Sequence, residues 1–366
     1  MHPEVIAELN SQERSSLTSL SGPYCRVKMP KSDDEVASWK SLLVRHETIL
    51  ALLVVAELLY FNAAGPRFGT VDNAFNILRH SVELGLLALA MTPVILTGGI
   101  DLSVGSLLGL CAILFGKLWR DAGAPIPIAA ACTLGIGALA GGWNALLITG
   151  LRLPPLIVTL GGYSLFRGMA ETITGGVDTF TNFPAAFLHL GQERTLGLPA
   201  QVWLFLAVAV GIWLLVHRTT FGRSFRAIGF APEGARYAGI PVGRRLALVY
   251  VLAGITAALA AVIYTARLGQ AKADAGTGYE LFAITAVVLG GTSIFGGTGT
   301  VHGTLLGVAA IAVLSNGLVH TGRPREWAGL LTGALLLVAL SGTAITRTLS
   351  NWRARRAALP PGAVAR

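Results

Sequence analysis

Apolar runs of membrane-crossing length, parted by short polar breaks, fill the chain from residue 42 onward. A helix that crosses a bilayer needs about 20 mostly apolar residues. Ten segments approach that standard: 42–61, 76–97, 102–119, 126–149, 153–174, 201–217, 246–267, 281–295, 303–320 and 327–346. The third and eighth are short. Short segments interrupted by glycine are a sign of broken or re-entrant helices. The pattern therefore predicts an all-α polytopic membrane protein with about ten transmembrane segments, eight to ten of them true spans. Residues 1–40 are polar, mixed in charge and free of the apolar core of a signal peptide. They are expected to form a disordered cytoplasmic tail, with Met29 a candidate start. The membrane part is placed at 41–346 and a cytoplasmic basic tail at 347–366.

Composition agrees with lipid as the main solvent. Only 13% of residues are charged against 53% hydrophobic, where a soluble domain carries about 25% charged residues. A chain this apolar does not stay disordered. The three cysteines, Cys25, Cys111 and Cys132, make no C-x-x-C pair and no Cys/His cluster. A net charge of +9 could indicate nucleic acid, but the basic residues bracket the apolar runs instead. With both termini inside, eighteen of the 28 Lys and Arg fall on the inner side, eight outside and two within spans. That asymmetry is the positive-inside pattern, and no nucleic-acid partner is expected.

Two connections are long. Residues 175–200 fall outside on this topology and form a candidate periplasmic lid or docking surface. Residues 218–245 fall inside and are rich in arginine. Within them Pro232-Glu233 suits a helix start, and Gly239 with Pro241 is a stop signal. A short helix bracketed by arginines is a candidate platform for a cytoplasmic partner.

Two glycine-rich motifs remain. GGIDLSVGS (98–106) sets a carboxylate between apolar spans, which is expensive in lipid. Asp101 or Ser103 can cap the following helix; contact with solute and gating are the alternatives. GGTSIFGGTGT (290–300) lacks the lysine of a phosphate loop, and no Walker pattern occurs anywhere in the chain. Its plain reading is a tight connection between packed helices.

These motifs, with FGRSFRAIG (221–229), GARYAGI (234–240), GTGYELFAITAVVLGG (276–291) and Asn316-Gly317, resemble the permease subunit of ribose-type sugar ABC importers. The similarity spans residues 45–342. GLRLPPLIVTLGGYSLFRG (150–168) and ARLGQAKADAGTGYEL (266–281) lean toward the rhamnose and autoinducer-2 branch. The resemblance implies a bacterial inner-membrane subunit working as a dimer, with a second copy or a paralogue. It implies a periplasmic sugar-binding protein and a cytoplasmic ABC ATPase that holds ATP-Mg, this chain binding no cofactor, metal or catalytic group of its own. It also makes 224–245 the coupling segment, with Glu233, Arg236, Tyr237, Gly239 and Ile240 as ATPase contacts. Ala231 and Ala238 stand where the family usually has Asn and Ser, so the helix loses a good cap.

Polar residues inside the apolar runs give candidates for the translocation path or gate: Asp101, Ser103, Ser106, Asn144, Thr159, Tyr163 and Glu171. Arg167 and Glu171 are spaced to pair on one helix face. Glu57 and Glu83 are the groups a proton-coupled secondary transporter would need. An intramembrane enzyme is disfavoured, since neither H-E-x-x-H nor a G-x-S-x-G elbow is present.

Overall fold

The computed structural model describes residues 46–324, 326–339 and 341. The expected tails at 1–40 and 347–366, and Met29, lie outside the described residues. The helices in order are α1 His46–Ala64, α2 Val71–Leu96, α3 Val104–Arg120, α4 Ile126–Thr149, α5 Pro155–Thr174, α6 Ala185–Gln192, α7 Ala200–Arg218, α8 Thr220–Phe230, α9 Pro232–Tyr237, α10 Val242–Leu268, α11 Tyr279–Leu289, α12 Val301–His320 and α13 Glu326–Ala339. A two-residue hairpin, β1 Arg194–Thr195 with β2 Leu198–Pro199, lies between α6 and α7. Among the described residues six helices, α1, α2, α4, α7, α10 and α12, are long and apolar enough to cross a membrane.

The core is built on α2, α3 and α10. A helix that is apolar all round belongs inside, and α3 (VGSLLGLCAILFG) follows that rule: twelve of its 17 residues are buried. Sixteen of the 26 residues of α2 are buried as well. By contrast α1 keeps its apolar Ile49, Leu52, Val55 and Leu59 exposed, as a lipid-facing helix does. Lipid gives no hydrophobic drive between helices, so close packing through small residues takes its place. Gly137 and Gly141 of α4 lie directly on the backbone of α10 at Gly254 and Tyr250.

The structure alters the expected elements in three places. The segment 281–295 is helical only to Leu289. There Gly291 takes φ +88° and the chain turns away, because Gly291 N–H bonds Val288 O and Thr292 N–H bonds Val287 O. Residues 218–245 hold two helices where one was expected, and α10 begins at Val242, ahead of the expected 246. The amphipathic α8 buries Phe225 and Ile228 and so packs against the body. Residues 175–200 are a folded cap: Phe183 and Phe187 stack on Phe115 and Trp119 of α3, and Phe180 exchanges backbone hydrogen bonds with Ala271. Arg120, at the end of α3, hydrogen-bonds Asp121 and Asp178 and holds both carboxyls below their usual range.

Candidate functional site

Three motifs far apart in sequence meet backbone to backbone. Helix α2 ends in a Schellman turn, with Gly98 N–H on Ile95 O and Gly99 N–H on Val94 O, and Gly98 at φ +80°. The last carbonyl of α2, Leu96 O, accepts instead from Gly297 N–H at 2.9 Å, in the 290–300 motif. Gly229, at the end of α8, sits in the same place: a Cβ there would overlap Leu96 O and the amide nitrogen of Gly297. A Cβ on Gly296 would stand 2.8 Å from both Gly98 N and Gly229 Cα. A Cβ has no room at Gly229 or Gly296, and Gly98 and Gly297 are held at φ +80° and +83°, a conformation that favours glycine.

One residue beyond α8 begins the short helix α9. Its start has no side-chain cap, in keeping with Ala231. Its end is strong: Gly239 N–H bonds Arg236 O, Ile240 N–H bonds Ala235 O, and Gly239 takes φ +79°. This is a second Schellman motif, completed by the apolar contact it usually carries. Ile240 packs with Ala235, Ile228 and Val242, so Ile240 anchors α9 to the body. Glu233 and Arg236 pair with each other on the surface at 2.8 Å. Tyr237 is 90% exposed and Phe230 86% exposed. The sequence reading missed Phe230, whose signal was an aromatic at the end of an amphipathic helix with no partner face.

The loop 97–103 is held by a buried polar network. Asp101 Oδ1 accepts from Ser103 N–H at 2.9 Å and from Ser103 Oγ at 2.6 Å. Ser103 Oγ in turn accepts from Asn144 Nδ2 at 2.9 Å. Ser106 Oγ donates to Ser103 O, and Thr159 Oγ1 to Ile100 O. Asp101 thus serves an amide as an Asx turn does, while the Ser103 side chain makes no cap bond to α3. Asp101→Ala strips an acceptor from two buried donors, and is expected to cost about 1–3 kcal/mol of stability. Thermal unfolding in detergent checks this; an unchanged midpoint would make the network irrelevant to the fold.

Five of the seven expected path residues, Asp101, Ser103, Ser106, Asn144 and Thr159, therefore lie together. Tyr163 is half-buried and Glu171 exposed, both apart on α5. The expected Arg167–Glu171 pair does not form among the described residues. Arg167 turns instead to the carbonyls of Ala273 and Ala275, where its planar guanidinium reaches two part-buried acceptors, while Glu171 stays exposed to water. Among the described residues, none of the seven lines either of two cavities. One of about 380 Å³ lies between α2, α11, α12 and α13. The other, about 550 Å³, is lined by Glu57, Tyr60 and Arg323.

A family model described as the branched-chain amino acid transport system permease component matches residues 73–340. The Autoinducer 2 import system permease protein LsrD of Escherichia coli (strain K12) is 39% identical over 322 residues, covering 86% of this chain and 97% of the relative. LsrD of Shigella flexneri and of Escherichia coli O157:H7 match to the same extent. No solved structure matches.

Proposed function

This chain belongs to the family of branched-chain amino acid transport system permease components, and we propose that within an ABC importer it carries autoinducer 2 or a closely similar small polyol. It is a multi-pass inner-membrane transport subunit and not an enzyme. The observation that supports the coupling mechanism is the glycine joint. The exposed knob, α9 with Phe230 and Tyr237, is one residue away from Gly229, and Gly229 touches the ends of α2 and the 290–300 loop. A push on the knob therefore reaches α2 and α11 without passing through any compressible side chain.

In this reading a cytoplasmic ATPase grips the knob, and its closure on ATP-Mg drives the rocking of two permease subunits. Phe230 and Tyr237 enter the ATPase groove, Glu233 and Arg236 flank them, and Gly239 and Ile240 keep the knob rigid. A periplasmic sugar-binding protein delivers the solute. A second permease, a copy of this chain or a paralogue, and lipid cover the apolar faces of α4 and α5, where Leu139, Trp143, Leu156 and Ile157 are exposed. Ten spans with both termini inside fit the arginine distribution. The polar network at Asp101, Ser103, Ser106, Asn144 and Thr159 holds the gate end of α3; Tyr163 and Glu171 belong to the α5 face.

An ion-coupled transporter is not favoured, since Glu83 is engaged by Arg267 at 2.6 Å. The test is uptake in proteoliposomes holding this chain with its ATPase and binding protein. Tyr237→Ala and Phe230→Ala are each expected to weaken ATPase capture by about 2 kcal/mol, as truncated interface aromatics do, with uptake lost in proportion. Uptake that follows a proton gradient and needs no ATP would overturn the reading.

A further inference from the structure

We propose that His217, at the end of α7, is a positioning residue for energy coupling. It works only as the neutral imidazole, so acid on the knob side separates ATP hydrolysis from uptake. This rests on the coupling reading above and adds a second hold on the 290–300 motif. Gly229, at one end of α8, touches that motif at Gly297. His217, just ahead of the other end of α8, holds the motif's far side. There Val301 N–H, the first amide of α12, donates to His217 Nε2 at 3.2 Å.

The contact is a helix cap supplied from another helix. The first amides of a helix have no partner within it. Thr300 Oγ1 accepts from Gly303 N–H at 3.1 Å, and His217 serves Val301. Beside it, Trp213 Nε1 donates to His302 Nε2 at 2.8 Å. Two side chains one turn apart on α7 therefore clasp two consecutive residues of α12. Helix α8 folds back on α7 without slack. A Cβ on Gly222 would overlap Val216 O, and Thr219 Oγ1 accepts from Phe221 N–H while donating to Leu215 O. When the knob moves α8, the 290–300 motif is held at both ends. It moves as one piece and carries α12 along with α2 and α11.

Protonation breaks this arrangement. A backbone amide only donates, so Nε2 must offer its lone pair and the neutral ring carries its hydrogen on Nδ1. Nδ1 in turn faces the guanidinium of Arg226, with Nη2 at 3.4 Å, while Arg226 Nη1 donates to Val216 O. Three further titratable or charged groups face this cluster among the described residues. Arg218 lies over the Trp213 ring, the His302 ring is 5.1 Å from that of His217, and Glu47 is engaged by Thr300 Oγ1 at 2.6 Å. The start of α12 adds partial positive charge of its own. A second proton would set N–H against N–H at Val301 and cation against cation at Arg226. The clasp is therefore present while the ring is neutral and is lost as pH falls through its titration.

The test measures autoinducer 2 taken up per ATP hydrolysed by the assembled importer, reconstituted in proteoliposomes with its ATPase and binding protein. The pH on the ATPase side is lowered from about 7.5 to about 5.5, across the range in which imidazole titrates. A ratio of this kind does not depend on the amount of folded protein. In the parent it is expected to fall about fivefold on acidification, the worth of one hydrogen bond. His217→Ala is expected to start about fivefold below the parent at the upper pH and to fall little further. His217→Gln offers an amide oxygen where Nε2 stood and takes no proton. It is expected to restore most of the ratio and to keep it in acid. A parental ratio in His217→Ala, a His217→Gln no better than His217→Ala, or a His217→Gln that falls with pH as the parent does would each overturn the proposal. A parent without ATP-driven uptake overturns the coupling reading as well, whereas an active parent with insensitive His217 variants overturns this inference alone.

Discussion

Gly229→Ala is expected to leave less than about a tenth of parental uptake, the equivalent of a loss of 1.4 kcal/mol or more in coupling. In an exposed helix the same change is favourable by about 1 kcal/mol, because Ala is the better helix former. Here the added methyl overlaps Leu96 O and the Gly297 amide, both backbone atoms that cannot rotate away. The 2.9 Å bond between those two groups must lengthen or break, and overpacking of this kind costs about 1–3 kcal/mol. The strain falls on the contact through which α8 moves α2 and the 290–300 loop. The chain still inserts, since its apolar segments are unchanged. Gly211→Ala in α7 is the control: a Cβ there meets nothing within 4 Å. Normal uptake by Gly229→Ala, measured beside that control, would mean that motion does not pass through the joint.

The elements were legible where apolar pattern alone determines them. Each of the ten apolar segments overlaps a helix among the described residues, six of these helices being long and apolar enough to cross a membrane, and Gly239 with Pro241 marks the end of α9. The glycines of 98–106 and 290–300 were readable as helix stops and tight connections. Their meeting with Gly229 was not, because a contact between backbones leaves no side-chain periodicity to read. Helix α8 was missed for a related reason. Its apolar face is short and its arginines suit both a solvated loop and a surface helix, and only packing of Phe225 and Ile228 on the body distinguishes them. The Arg167–Glu171 pairing failed because helical spacing considers one helix alone and does not see carbonyls brought in from residues 273 and 275. Glu83 was readable as an expensive buried carboxylate. Its partner, 184 residues away, was not.

That partner decides the second large effect. Glu83 is fully buried and Arg267 is 10% exposed, with Nε and Oε1 2.6 Å apart. Removing one member of such a pair strands a charge in a dry interior, and costs about 3–5 kcal/mol. Glu83→Gln and Arg267→Met are each expected to lower the unfolding midpoint in detergent strongly. The double variant Glu83→Gln with Arg267→Met is expected to be more stable than either, since no charge is then left alone. Single effects that merely add in the double variant would show that the pair is not coupled. The same variants separate two classes of transporter. A carboxylate that carried protons would have to release its partner in each cycle, so Glu83→Gln would stop gradient-driven uptake while leaving stability intact. A carboxylate that ties α2 to α10 does the opposite: the fold weakens first, and ATP-driven uptake declines only as far as the amount of folded protein does. Arg267 also hydrogen-bonds His80 and, through its main-chain carbonyl, accepts from Gln192 of the 175–200 cap. Arg267→Met should therefore release His80 while keeping the carbonyl that Gln192 binds, whereas Glu83→Gln, which leaves the arginine in place, should spare the His80 contact.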